Sequence, residues 1–141
     1  MIVSGCGGGD GPLSAARYAH EVSAVCTRTN RAVDRVAMPP LGRRGDATRA
    51  LARIVEIQRV AIADLRGLRP PDRASGLHQR WIALLDQATD ELEQIEHSLS
   101  RGHRIEARGF ADKATTLLAR ARQVMSPRGV TTCRGPELPA A

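Results

Sequence analysis

Proline and glycine cut this chain into four stretches of similar length, and that punctuation constrains the fold more than any other feature. Gly11-Pro12 precedes the first stretch, and Met38-Pro39-Pro40 follows it. Gly67 and Pro70-Pro71 close the second, Gly102 the third, and Ser126-Pro127 the fourth. Proline lacks a backbone donor and disfavours helical geometry in the residue before it, so each pair is a helix boundary. Within each stretch apolar residues recur every three or four positions, the period of a helix with one buried face.

Segment one runs from about Leu13 to Ala37, with Tyr18, Val22, Val25, Cys26, Thr29, Val33 and Val36 on one face and Arg17 and Glu21 as a solvated pair. Segment two follows the loop Leu41-Gly42-Arg43-Arg44-Gly45, with Asp46 as the expected N-cap. Its stripe is Leu51, Ile54, Val55, Gln58, Ile62 and Leu65, and Ile57 and Val60 widen it, which predicts cover on more than one side. Segment three begins near Asp72. Leu77, Trp81, Leu84, Leu85, Ala88, Leu92, Ile95 and Leu99 form the cleanest heptad pattern in the chain, and Asp86, Asp90, Glu91, Glu93 and Glu96 form an acidic outer face. Gly76 in its first turns is a cost, and Gly102 is placed to cap its end. Segment four covers Arg104 to Met125, with Ile105, Phe110, Ala114, Leu117, Leu118, Ala121, Val124 and Met125 expected inside and Gly109 a soft spot.

Four amphipathic helices with short connections predict an all-α, antiparallel four-helix bundle, up-down-up-down, over residues 13–126. A disordered N-terminal tether is expected before it, and an irregular tail over 127–141 after it. Aromatic residues are 2% of the chain, so the core must be built from Ala, Leu, Val and Ile, which favours closely packed helices. No apolar run approaches the ~20 residues of a membrane-spanning helix. The net charge of +6 comes almost wholly from arginine, with Lys113 the one lysine. The arginines are spread over every helix and stacking aromatics are scarce, which argues against nucleic acid as the partner and for attraction to anionic lipid headgroups.

The N-terminus carries the most specific motif. Val3-Ser4-Gly5-Cys6 resembles the lipobox of bacterial lipoproteins: an aliphatic residue, two small residues, then the cysteine that is lipidated and becomes the new N-terminus. The resemblance implies cleavage before Cys6, a residual signal peptide at 1–5, and a lipid anchor on the Cys6 thiol. Gly7-Gly8-Gly9-Asp10-Gly11-Pro12 suits a tether between bilayer and domain over 6–12. Only Met1-Ile2-Val3 precede the box, so most of the apolar stretch of a signal is expected upstream of Met1. The plain alternative is a glycine-rich N-terminus with an incidental cysteine. A phosphate-binding loop is disfavoured, because no strand precedes the glycines and no Gly-Lys-Ser/Thr follows.

Lipid on Cys6 leaves Cys26 and Cys133. An exported protein meets oxidising conditions, so a Cys26–Cys133 disulfide is expected, pinning the tail to segment one and requiring helices one and four to be neighbours. The alternative is two unrelated thiols.

The lipobox and tether, Cys26 and Asn30 on the first helix, the Leu68-Arg69-Pro70-Pro71 hinge and the Gly129…Cys133 ending together resemble small lipoproteins of high-GC Gram-positive bacteria. The resemblance implies a helical bundle at the extracytoplasmic face of the membrane, without an assigned activity.

Other constellations are weak. The histidines are His20, His78, His97 and His103, and Glu93 stands four residues before His97, where a di-iron bundle needs Glu-x-x-His twice. His97 is expected to cap or flank the acidic surface. No strand–turn–helix elbow presents a nucleophile. Neither metal nor cofactor nor catalytic residue is therefore assigned. Asn30 and Gln58 are expected to bond each other or the backbone and set helix register, or to line a pocket with Tyr18 and Trp81. The expected function is a monomeric, non-enzymatic envelope lipoprotein, held in the membrane by lipid on Cys6, that binds another envelope protein or polymer. The competing expectation is an extracytoplasmic carrier of a small ligand or metal between helices.

Overall fold

A computed structural model describes residues 11–40, 42–130 and 132–138. The lipobox-like run, Cys6 and the glycines as far as Asp10 lie outside the described residues. Four helices follow one another: α1 (Ala15–Asp34), α2 (Arg44–Arg66), α3 (Ser75–Ser100) and α4 (Arg104–Met125). Short 3-10 turns at Asp72–Ala74 and Ser126–Arg128 flank α3 and end α4. The chain is an antiparallel four-helix bundle.

The boundaries follow local chemistry. Ser14 caps α1, its hydroxyl accepting from the Arg17 amide at 3.2 Å. The helix stops at Asp34, three residues short of Ala37. Its last turn tightens through Val36 N–H to the Val33 carbonyl ahead of Pro39-Pro40. α2 starts at Arg44, so Asp46 is not the cap. It stands in the first turn, paired with Arg49, where a carboxylate still favours the helix dipole. Gly102, at φ +80°, ends α3. His103 donates to the Ser98 carbonyl and Gly102 to Leu99, the paired bonds of a Schellman cap.

The core has two ends. At one, Tyr18, Val22 and Cys26 of α1 meet Ile62 and Leu65 of α2, Trp81 and Ile82 of α3, Ala121 and Met125 of α4, and Val130. At the other, Leu51 and Ile54 of α2 meet Leu92, Ile95 and Leu99 of α3 and Ala107 and Ala114 of α4. The start of each helix thus lies beside the end of the next, which is the up-down-up-down order.

The fourth side of the bundle departs from expectation. α3 packs against both α2 and α4, and α1 packs against α2. The side between α1 and α4 is filled by the chain beyond α4 instead of by direct helix packing. Val130 is buried. Leu118 of α4 lies 3.1 Å from where a Cβ on Gly135 would stand, and Leu138 reaches the far core cluster. The tail is therefore a structural element of the bundle.

Two expected core positions are on the surface. Ile105 is 91% exposed and Val60 is 59% exposed. Ala107, Ala114, Leu118, Ala121 and Met125 set the buried face of α4, and Ile105, two residues before Ala107, points about 200° away from it. Phe110, Leu117 and Val124 sit at the edge of that face, partly buried. On α2, Val60 lies outside the stripe that α1 and α3 cover, so the second side of this helix is open.

Candidate functional site

Cys26 and Cys133 are joined in a disulfide, with Cα atoms 4.9 Å apart. Cys26 is buried in the middle of α1, and Cys133 is partly exposed on the tail. The tail is fastened on both sides of this bond. The Asn30 side-chain amide donates to the Thr132 carbonyl, and Arg134 pairs with Asp34 at 3.0 Å. Residues 26, 30 and 34 are successive turns of one face of α1; with Val130 packed beside the start of that helix and Leu138 in the cluster at its end, the tail runs along it in the same direction.

Under the tail lies a cavity of about 40 Å³. Its walls include Cys26 and Asn30 of α1, Gln58 of α2, Trp81 of α3, Leu118 of α4, and Cys133. A buried water needs at least about 10–15 Å³ measured this way, so the space suits a few waters. Pockets for organic ligands run to roughly 300–1,000 Å³. Gln58 is 7% exposed.

The structure divides the four polar and aromatic residues expected at a pocket. Asn30, Gln58 and Trp81 line the cavity, but Asn30 bonds the tail backbone and not Gln58. Tyr18 is elsewhere. Its hydroxyl is hydrogen-bonded to Nδ1 of His78 at 2.7 Å, both side chains being buried. The rings meet edge-on at 5.6 Å, and His78 stands edge-on to Trp81 at 6.2 Å. The His78 imidazole thus ties α1 to α3. Burial lowers the His78 pKa, opposed by the Leu65 carbonyl, and raises that of Tyr18, opposed by the Arg128 cation. Buried and bonded to Tyr18, His78 has a structural role. The sequence did hold a signal for it: His78 precedes Ile82 by four and Leu85 by seven, which places it on the buried stripe of α3.

The acidic face of α3 is partly an interhelical ion network. Arg59 of α2 reaches Asp86, Asp90 and Glu93 at 3.3, 2.6 and 3.0 Å, and Arg66 also pairs with Asp86. The Asp90 hydrogen bond is the main cause of a raised Arg59 pKa. All these groups are about a third exposed or more, so each pair contributes no more than about 1 kcal/mol. His97 is exposed on the same helix. At the α3–α4 turn, His103 bonds Glu106 at 3.1 Å and holds its carboxyl below the usual range, helped by Ser98 and Arg101. Among the described residues, no three His, Cys, Asp or Glu side chains converge as a metal site requires, and no helix is long and apolar enough to cross a membrane.

Compared with known proteins, the chain matches no family model, no curated protein and no solved structure.

Proposed function

We propose that residues 13–138 form the extracytoplasmic domain of a lipid-anchored envelope lipoprotein, with Cys6 as the acylated residue and residues 7–12 as its tether. The domain acts by binding, without catalysis, presenting the bundle surface to another envelope protein or to a cell-wall polymer. One observation carries this reading. The Cys26–Cys133 bond accounts for two of the three cysteines and leaves Cys6, at the end of a lipobox-like run, as the one thiol outside it. A stapled tail also suits an oxidising compartment. The small cavity supports a partner-binding surface over the carrier reading, since it has room for water and not for a cargo molecule.

Cell fractionation tests the anchor. Expressed from its full reading frame, the protein is expected in the membrane fraction, and Cys6→Ala is expected to release it or leave it unprocessed. A wild-type protein that stays wholly in the soluble fraction would overturn the reading.

A further inference from the structure

We propose that the end of the bundle formed by the α2–α3 connection and the close of α4 is a docking face for anionic phospholipid headgroups. This rests on the reading of Cys6 as the membrane anchor. Four exposed arginines cluster there: Arg69 and Arg73 in the connection, Arg80 in the first turns of α3, and Arg128 just past α4. Two backbone contacts hold the cluster together. Arg128 donates to the Arg73 carbonyl at 3.2 Å, and the Leu13 amide donates to the Arg69 carbonyl at 2.9 Å. Among the described residues none of the four has a carboxylate within ion-pair distance, whereas Arg59 and Arg66 farther up the bundle are matched by Asp86, Asp90 and Glu93. Asp72 is the one carboxylate in the connection.

The Leu13 contact places this face at the exit of the tether. From Cys6 to Leu13 is seven residues (13 − 6), which span about 25 Å at most. The other end of the bundle also carries arginines, at Arg35, Arg43, Arg44 and Arg104. It lies the length of α1 away, 20 residues or about 30 Å, which is nearly four Debye lengths of about 8 Å in physiological salt. Only the tether end can be held against the bilayer while its charges still feel the lipid. Guanidinium groups bind phosphates well, and a basic patch beside a lipid anchor holds one face of the domain against an anionic surface. Because the arginines form an open face, the docking responds to surface charge and not to one headgroup structure. Each arginine changes the docking equilibrium about fivefold, so four together change it on the order of a few hundredfold.

The single tryptophan provides the probe. Trp81 is 1% exposed and lies in this half of the bundle. The full chain is coupled through the Cys6 thiol to a maleimide lipid, and energy transfer from Trp81 to a dansyl-labelled headgroup is read at physiological salt. Transfer is expected to be stronger on phosphatidylglycerol-containing vesicles than on phosphatidylcholine alone, and to fall to the neutral level at about 1 M salt, where the Debye length is about 3 Å. Replacing Arg69, Arg73, Arg80 and Arg128 together by glutamine is expected to give the neutral level at every salt concentration. The same change at Arg35, Arg43, Arg44 and Arg104 is expected to leave transfer unchanged. Equal transfer on neutral and anionic vesicles, or equal losses in the two variants, would overturn the proposal. The thioether is made chemically, so the vesicle result stands apart from whether cells acylate Cys6.

Discussion

Replacing Cys133 by serine opens the longest covalent loop in this protein. The bond joins residues 107 apart. On the chain-entropy treatment, closing a loop of that length lowers the entropy of the unfolded chain by about 16 cal/mol/K, or about 5 kcal/mol at room temperature. Cys133 is the better site to cut, because it is partly exposed and serine there meets water. Serine at buried Cys26 adds the cost of an unpartnered hydroxyl, about 1–3 kcal/mol. For a domain of this size, 5 kcal/mol corresponds to a fall in Tm of roughly 15–20 °C. Thermal melting followed by circular dichroism should show this loss for Cys133→Ser without reductant. Reduced wild type should melt with the oxidised mutant, and reductant should not move the mutant further. Cys26→Ser, Cys133→Ser and the double mutant should agree once the Cys26 hydroxyl penalty is allowed for, because all three remove one bond. A mutant that melts with oxidised wild type, or that loses as much again under reductant, would refute the argument that the tail is stapled to α1.

Three further outcomes are expected. The His78 pKa is lowered by folding below its ordinary value of 6.5, so its contribution is full above that pH and is lost as pH falls toward the folded value. Urea melts should therefore be flat above pH 6.5 and show declining stability toward pH 5, with His78→Gln reducing that slope; stability that rises on acidification would contradict the buried neutral ring. Two glycines should respond with opposite signs. Gly135→Ala forces a side chain into φ +73° against Leu118 and should cost about 1–2 kcal/mol, while Gly76→Ala, in the open first turn of α3, should gain about 0.5–1 kcal/mol in the same melts. Gln58→Leu should be neutral or stabilising, since it replaces an amide in the small cavity by an apolar group of similar size, whereas a loss above about 2 kcal/mol would show that the amide is firmly bonded.

The helices were legible because their boundaries are written in local chemistry. Pro39-Pro40, Pro70-Pro71, Gly102 and Pro127 lie within a few residues of where the helices end, and the span of α4 agrees at both ends. The disulfide was legible from the cysteine number together with the expectation of export. Three features were not. Ile105 breaks the periodic pattern because the phase of α4 is set by the small residues Ala107, Ala114 and Ala121, which apolar spacing alone ranks below an isoleucine. The tail reads as irregular because Val130, Gly135 and Leu138 have no period, yet they fill the side that α1 and α4 leave between them. The Tyr18–His78 pair joins residues 60 apart in sequence, and no local signal links two such positions before the helices are assembled. Of the expected pocket, Asn30, Gln58 and Trp81 do share a cavity, because facing stripes converge at one level of the bundle.

The chemical state of the Cys6 thiol decides whether this protein is a lipoprotein. Mass spectrometry of the N-terminal peptide, taken from protein purified out of the membrane fraction after expression from the full reading frame, tests it most directly. The expected peptide begins at Cys6, carries a diacylglyceryl thioether, and comes from a chain in which Cys26 and Cys133 are recovered as one disulfide-linked pair. An unmodified Cys6 in a chain that keeps Met1, or Cys6 recovered in a disulfide with Cys26 or Cys133, would contradict it.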